Sequence, residues 1–180
     1  MVYLFLAEGF EEIEALTPVD VLRRGGVELT TVGVGGKTVC GSHGIVVEAD
    51  ISDTEFDPSD AQAVILPGGM PGTLNLGKSY IVMGAVKKCL DEDKLVAAIC
   101  AAPSLLGQIG ALRGKRATAF PGFEDKLEGA VYEGGFVEHD DNIITGKGMG
   151  VALEFALEIL SALRDEKTAE KVRSSLQCRM

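Results

Sequence analysis

The chain has 180 residues, 46% of them hydrophobic and 24% charged, with 23 glycines and a formal net charge of −10. That size and mix predict one globular domain over residues 1–180, with a sizeable core. The acidic balance argues against nucleic acid or an anionic membrane as a partner, because both demand clustered Lys and Arg.

The opening MVYLFLAEGF lacks a basic stretch, and its apolar run stops at Glu8, so it does not read as a signal peptide. No apolar run approaches the length of a membrane span. The expectation is a cytoplasmic protein. Cys40, Cys89, Cys100 and Cys178 are then thiols in a reducing compartment, and no pair has CxxC spacing. A disulfide framework and a zinc site are both disfavoured.

Short apolar runs alternate with helical patterns along the chain. Residues 2–7 read as a buried strand. Residues 11–24 read as a helix, with acids in its first turn, arginines in its last and Gly25-Gly26 as its stop. Residues 27–34 alternate like a strand, and 37–40 with 45–47 resemble a small hairpin. A buried strand at 63–66 ends on PGG. A helix at 80–90, a strand at 95–99 and a helix at 101–109 follow. Residues 117–120 and 143–145 are further strand candidates, and VEHDDN around His139 resembles a hairpin turn. An amphipathic helix spans 151–163, and another is predicted at 168–174. Apolar strands followed by helices predict a doubly wound α/β fold, a mostly parallel sheet with helices on both faces. In such sheets the site lies beyond the carboxyl ends of the strands, at a topological switch point.

Three strand ends carry chemistry. In LVAAICAAPS, Cys100 stands at the seam between a strand and a helix, which aims its side chain into the crevice. The free N–H groups of the following helix favour a lowered thiol pKa, and Pro103 suits a first helical turn. Most cysteines are small core residues, but this placement favours a nucleophile. In AVILPGGMPGT, Gly68 and Gly69 follow a buried strand and allow backbone N–H groups to approach a developing oxyanion. No GKS or GKT follows, so this is not a phosphate loop. In AEGFEEIEALTPVDVLRR, Glu11 and Glu12 need nothing beyond the helix dipole. Glu14 differs, because it heads the apolar row Pro18, Val21 and Leu22. A buried Glu14 would have a raised pKa and could hold a proton near neutrality.

The only histidines are His43 and His139, and neither neighbours Cys100. No histidine follows residue 140, which disfavours an amidotransferase-like Cys–His–Glu hydrolase. No ligand cluster for a metal is evident. Gly33, Gly35 and Gly36 follow a strand without opening a helix, so there is no dinucleotide fingerprint. Ile13 and Leu16 flank Glu14 and read most simply as core.

The segments AEGFEEIEALTPVDVLRRGG, AVILPGGMPG, LVAAICAAPSLLG, FPGFEDKL and ITGKGMGVALEFALEIL, in this order, resemble the ThiJ/PfpI superfamily, specifically its DJ-one branch. The resemblance covers nearly the whole chain. It implies a flavodoxin-like sandwich and a homodimer, in which Ile13 and Leu16 are candidate contacts. Cys100 matches the reactive cysteine, and Glu14 the acid that hydrogen-bonds it. Gly69 and Ala101 match positions whose backbone N–H groups face the pocket. Arg24 and His43 match cationic positions lining the pocket near the dimer interface, although relatives often carry arginine where His43 stands. Protease-like relatives have histidine at the position of Ala101, so a peptidase triad is disfavoured. Phe120 replaces a histidine of some relatives. The resemblance implies a glutathione-independent glyoxalase or protein deglycase that needs no cofactor. Its substrates would be methylglyoxal, glyoxal or early glycation adducts. The rival expectation is a redox-sensing stress protein or chaperone in which Cys100 is oxidised to a sulfinate.

Overall fold

A computed structural model of the chain describes residues 1–178. The strands are β1 (Val2–Leu6), β2 (Leu29–Gly33), β3 (Thr38–Cys40), β4 (Val46–Glu48), β5 (Ile51–Ser52), β6 (Ala63–Leu66), β7 (Leu95–Ile99), β8 (Val137–Asp140) and β9 (Ile143–Gly146). The α-helices are α1 (Glu12–Arg24), α2 (Gly72–Lys78), α3 (Tyr80–Asp91), α4 (Pro103–Gln108), α5 (Ala152–Leu163) and α6 (Glu166–Ser175). Seven strands form one sheet in the order β5-β2-β1-β6-β7-β9-β8, parallel except for β8. Strands β3 and β4 form a separate antiparallel hairpin.

The central strands are apolar throughout because both sheet faces are covered. Along β1, Leu4 and Leu6 join one core cluster while Tyr3 and Phe5 join the other, as alternation in a strand requires. Helices α1, α5 and α6 cover the first face through Leu22, Phe155, Leu160 and Val172. Helices α2, α3 and α4 cover the second through Leu76, Val86 and Leu106. The architecture is flavodoxin-like. The chain winds from β1 to β2 on one side and then returns to β6 on the other, so a crevice opens above the carboxyl ends of β1 and β6, with β7 beside them.

Three sequence expectations are corrected. Residues 117–120 are not a strand: β9, whose Thr145 side chain Thr118 meets, is already flanked by β7 and β8 and offers them no ladder. Their amides instead reach the Val131 carbonyl, the Thr145 hydroxyl and the Cys100 carbonyl. His139 lies on β8, two residues before the turn, rather than in it. Ile13 and Leu16 are 51% and 38% exposed, so they are not core. Helix α2, too short and glycine-rich to show a period, and the edge strands β5 and β8 were not legible from the sequence.

Candidate active site

Three segments converge at the switch point: the β1–α1 junction, the loop after β6 and the β7–α4 turn. Glu11 is the N-cap of α1, and its Oε2 accepts from the Glu14 amide at 2.8 Å. The Glu11 amide donates to the Gly68 carbonyl at 2.9 Å. The Gly68 amide donates in turn to Glu14 Oε2 at 3.0 Å. These contacts close a ring of three hydrogen bonds that ties the first two segments together around Glu14. Gly68 is required there: a Cβ would stand 2.6 Å from both the Cys100 Cβ and Glu14 Oε2.

Cys100 has φ of +64°, in the left-handed region that side chains disfavour, at a cost of about 1–3 kcal/mol. Its backbone is held on both sides, with its amide on the Gly146 carbonyl at 2.8 Å and its carbonyl accepting from the Phe120 amide at 2.9 Å. The strained turn lifts the thiol above the sheet, where it hydrogen-bonds Glu14 and faces the amides of Gly69 and Ala101.

Glu14 is 1% exposed. Burial pushes its carboxyl up to about 7, and the Glu11 charge adds to the rise; hydrogen bonding with Cys100 and the amides of Gly68 and Met149 pull the other way. The Cys100 thiol is pushed up to about 12, by burial first and then by the charge and hydrogen bond of Glu14, against the pull of the two amides. This reverses the lowered thiol expected from the sequence, because burial, and after it the Glu14 carboxylate, outweigh the amides at a short helix end. Two of the opposing causes belong to ionised Glu14. When Glu14 holds its proton, its charge no longer opposes a thiolate and its O–H becomes a donor to sulfur. The two groups therefore titrate as a coupled pair.

The Phe120 ring lies 3.1 Å from where a Gly148 Cβ would stand, and Glu14 Oε1 is 4.0 Å from the same point. Phe120 thus walls the Glu14 side of the crevice. His43, on the β3–β4 hairpin, presents its Nδ1 to Glu12 Oε2 at 2.8 Å, and its backbone N–H donates to Glu12 Oε1. Burial works against ionised Glu12, but these His43 contacts win and hold its carboxyl at about 2. Glu12 raises the His43 pKa in return. Glu11 and Glu12 therefore have specific partners, beyond the helix dipole expected for them. Glu11, Glu12 and His43 bring potential ligand atoms within 4.8 Å of one another, but the contacts above account for their placement. Arg24 is not brought to Cys100 within this chain. It stands ten residues along α1 from Glu14, about 15 Å by helix rise, and pairs with Asp20 at 2.7 Å. The sequence reading missed the roles of Gly68, Glu11 and Met149; the glycines of GKGMG were the visible signal for the last.

A family profile described as the DJ-1/PfpI family matches residues 1–162. The chain belongs to the DJ-1/PfpI family. A zebrafish (Danio rerio) Parkinson disease protein 7 homolog is 34% identical over 178 residues, covering 96% of this chain and 94% of that protein. A deglycase from Pyrococcus abyssi is 33% identical over 127 residues, covering 70% of this chain and 75% of that protein. The solved structure of oxidized Toxoplasma gondii DJ-1 superposes with a TM-score of 0.95 at 32% identity, covering 99% of this chain and 98% of that one.

The coupling of Glu14 to Cys100 in this DJ-1/PfpI site has a measurable consequence. Ionised Glu14 opposes the thiolate only above about pH 7. Glu14→Gln is therefore expected to leave Cys100 alkylation by iodoacetamide unchanged near pH 5 and to speed it about tenfold or more near pH 9. Equal rates near pH 9 would contradict the coupling.

Proposed function

We propose that the protein is a cysteine-dependent, cofactor-free glyoxalase or deglycase. It acts on methylglyoxal, glyoxal or their early glycation adducts and releases 2-hydroxy acids. The observation that supports this most is the Glu14–Cys100 pair. A carboxyl brought to about 7 can both give and take a proton at neutral pH, and it touches a nucleophile. The deglycase name of the Pyrococcus abyssi relative agrees with this reading.

With methylglyoxal, the Cys100 thiolate bonds to the aldehyde carbon, and Glu14 gives its proton to the resulting oxyanion. The amides of Gly69 and Ala101 steady that oxygen while it carries charge. Glu14, now a carboxylate, takes the C–H proton from the carbon bonded to sulfur and returns it to the neighbouring carbon, while the hydroxyl proton on the first oxygen passes to the neighbouring oxygen. The product is a thioester of lactate. Water cleaves it, restoring the thiol and releasing lactate.

A redox reading is favoured by one observation, the oxidized form of the Toxoplasma gondii relative. Two peroxide molecules would each pass one oxygen to the Cys100 thiolate and leave as water, giving a sulfinate that protonated Glu14 hydrogen-bonds. Turnover separates the readings. Purified, reduced protein given methylglyoxal is expected to form lactate over many turnovers. Cys100→Ser should abolish this, and Glu14→Ala should lower it about 100-fold or more. Aldehyde loss without lactate, or lactate unaffected by Cys100→Ser, would leave the redox reading in its place.

We further propose that the partner is a second copy of this chain. Ile13 and Leu16 on α1 and Ile45 and Val46 on the neighbouring hairpin are exposed large apolar residues, from 38% to 60%. Light scattering is expected to give a dimer mass for the wild type and a monomer mass for Ile13→Lys with Val46→Lys. A monomeric wild type at micromolar concentration would overturn the proposal.

A further inference from the structure

Glu11 carries more geometry than a helix cap needs. It is 8% exposed, and it is a partner in two of the three hydrogen bonds of the ring around Glu14. Its amide fixes Gly68 through the carbonyl, which sets the Gly68 N–H that meets Glu14 Oε2. Its side chain accepts the amide of Glu14 itself at 2.8 Å. One residue thus holds the backbone of Glu14 and, through Gly68, the end of its side chain. A peptide group would suffice for one of these contacts and a serine or aspartate for the other. A carboxylate this close to a buried carboxyl also adds a like charge, which disfavours a second one beside it.

We propose that Glu11 is a positioning residue of this site, whose carboxylate both orients Glu14 and keeps the proton on it. The groups facing Glu14 are few. Cys100 faces it from the β7–α4 turn and Glu11 from its own helix, while the loop after β6 and the turn at Met149–Val151 offer the uncharged amides of Gly68 and Met149. Glu11 is the charged neighbour in that set that acts to raise the Glu14 carboxyl. It is also close enough to His43 to favour the protonated imidazole, so its charge reaches the crevice from α1 to the hairpin. Glu11 touches no reacting atom. It acts by setting which of the two partners, Glu14 or Cys100, carries the shared proton.

The inference rests on the acid–base role proposed for Glu14, but its test needs no turnover. Carbon-13 NMR of the Glu14 carboxyl, assigned by its loss in Glu14→Gln, follows the titration directly. Glu11→Gln keeps a cap oxygen and removes the charge, and is expected to shift the Glu14 titration to lower pH. Glu11→Asp keeps both cap and charge, and is expected to titrate Glu14 nearer the wild type than Glu11→Gln does. Equal shifts in both variants, or no shift in Glu11→Gln, would reduce Glu11 to a structural cap and overturn the proposal. If Glu11→Gln fails to fold, a Glu14 titration in Glu11→Asp well below that of the wild type overturns it alone. Absent lactate formation with an intact Glu14 shift would sink the glyoxalase reading and leave this one standing.

Discussion

Everything in this site follows from placing a carboxyl where water cannot reach it. Glu14 is 1% exposed on the inner face of α1, and an isolated ionised carboxylate there would cost several kcal/mol. The protein answers in two ways. It lets the carboxyl keep its proton up to neutral pH, and it supplies backbone amides for the oxygens. The first response makes Glu14 an acid and base at working pH. The second fixes where its oxygens point. Gly68 matters for the same reason, since any side chain there would occupy the space between Glu14 and Cys100.

The sheet makes this burial possible. Parallel strands β1, β6 and β7 end at one level, and the reversal of winding between β2 and β6 leaves a crevice above them. Each strand end delivers one ingredient: the helix that carries Glu14, the glycines that free backbone amides, and the strained turn that lifts Cys100. The strain at Cys100 is held by bonds to Gly146 and Phe120, which belong to segments far along the chain. The nucleophile's geometry is thus a property of the whole sheet end. Ordered differently, the same residues would give an ordinary buried cysteine.

Much of this was legible beforehand because it is written in local patterns. The apolar runs at 63–66 and 95–99 coincide with β6 and β7, and the row Pro18, Val21 and Leu22 identified the buried face that Glu14 heads. What escaped depends on tertiary partners. Glu11 and Glu12 looked like dipole acids, yet one caps Glu14 and the other grips His43. The stretch 117–120 has the apolar content of a strand, but β9, the strand it meets, already has β7 and β8 as its neighbours. The thiol departs from expectation because a helix end is visible in sequence, whereas the burial that raises the thiol, and the carboxylate that arrives from residue 14, are set by the fold.

The central claim is that Glu14 still holds its proton close to neutral pH beside Cys100. Infrared difference spectroscopy of the reduced protein tests it most directly, because a protonated carboxyl has a stretch distinct from carboxylates. A band absent from Glu14→Gln is expected to persist at mildly acidic pH and to fade as pH rises through about 7. A Glu14 band that fades instead in the ordinary carboxylate range, about 4.3, would contradict the account.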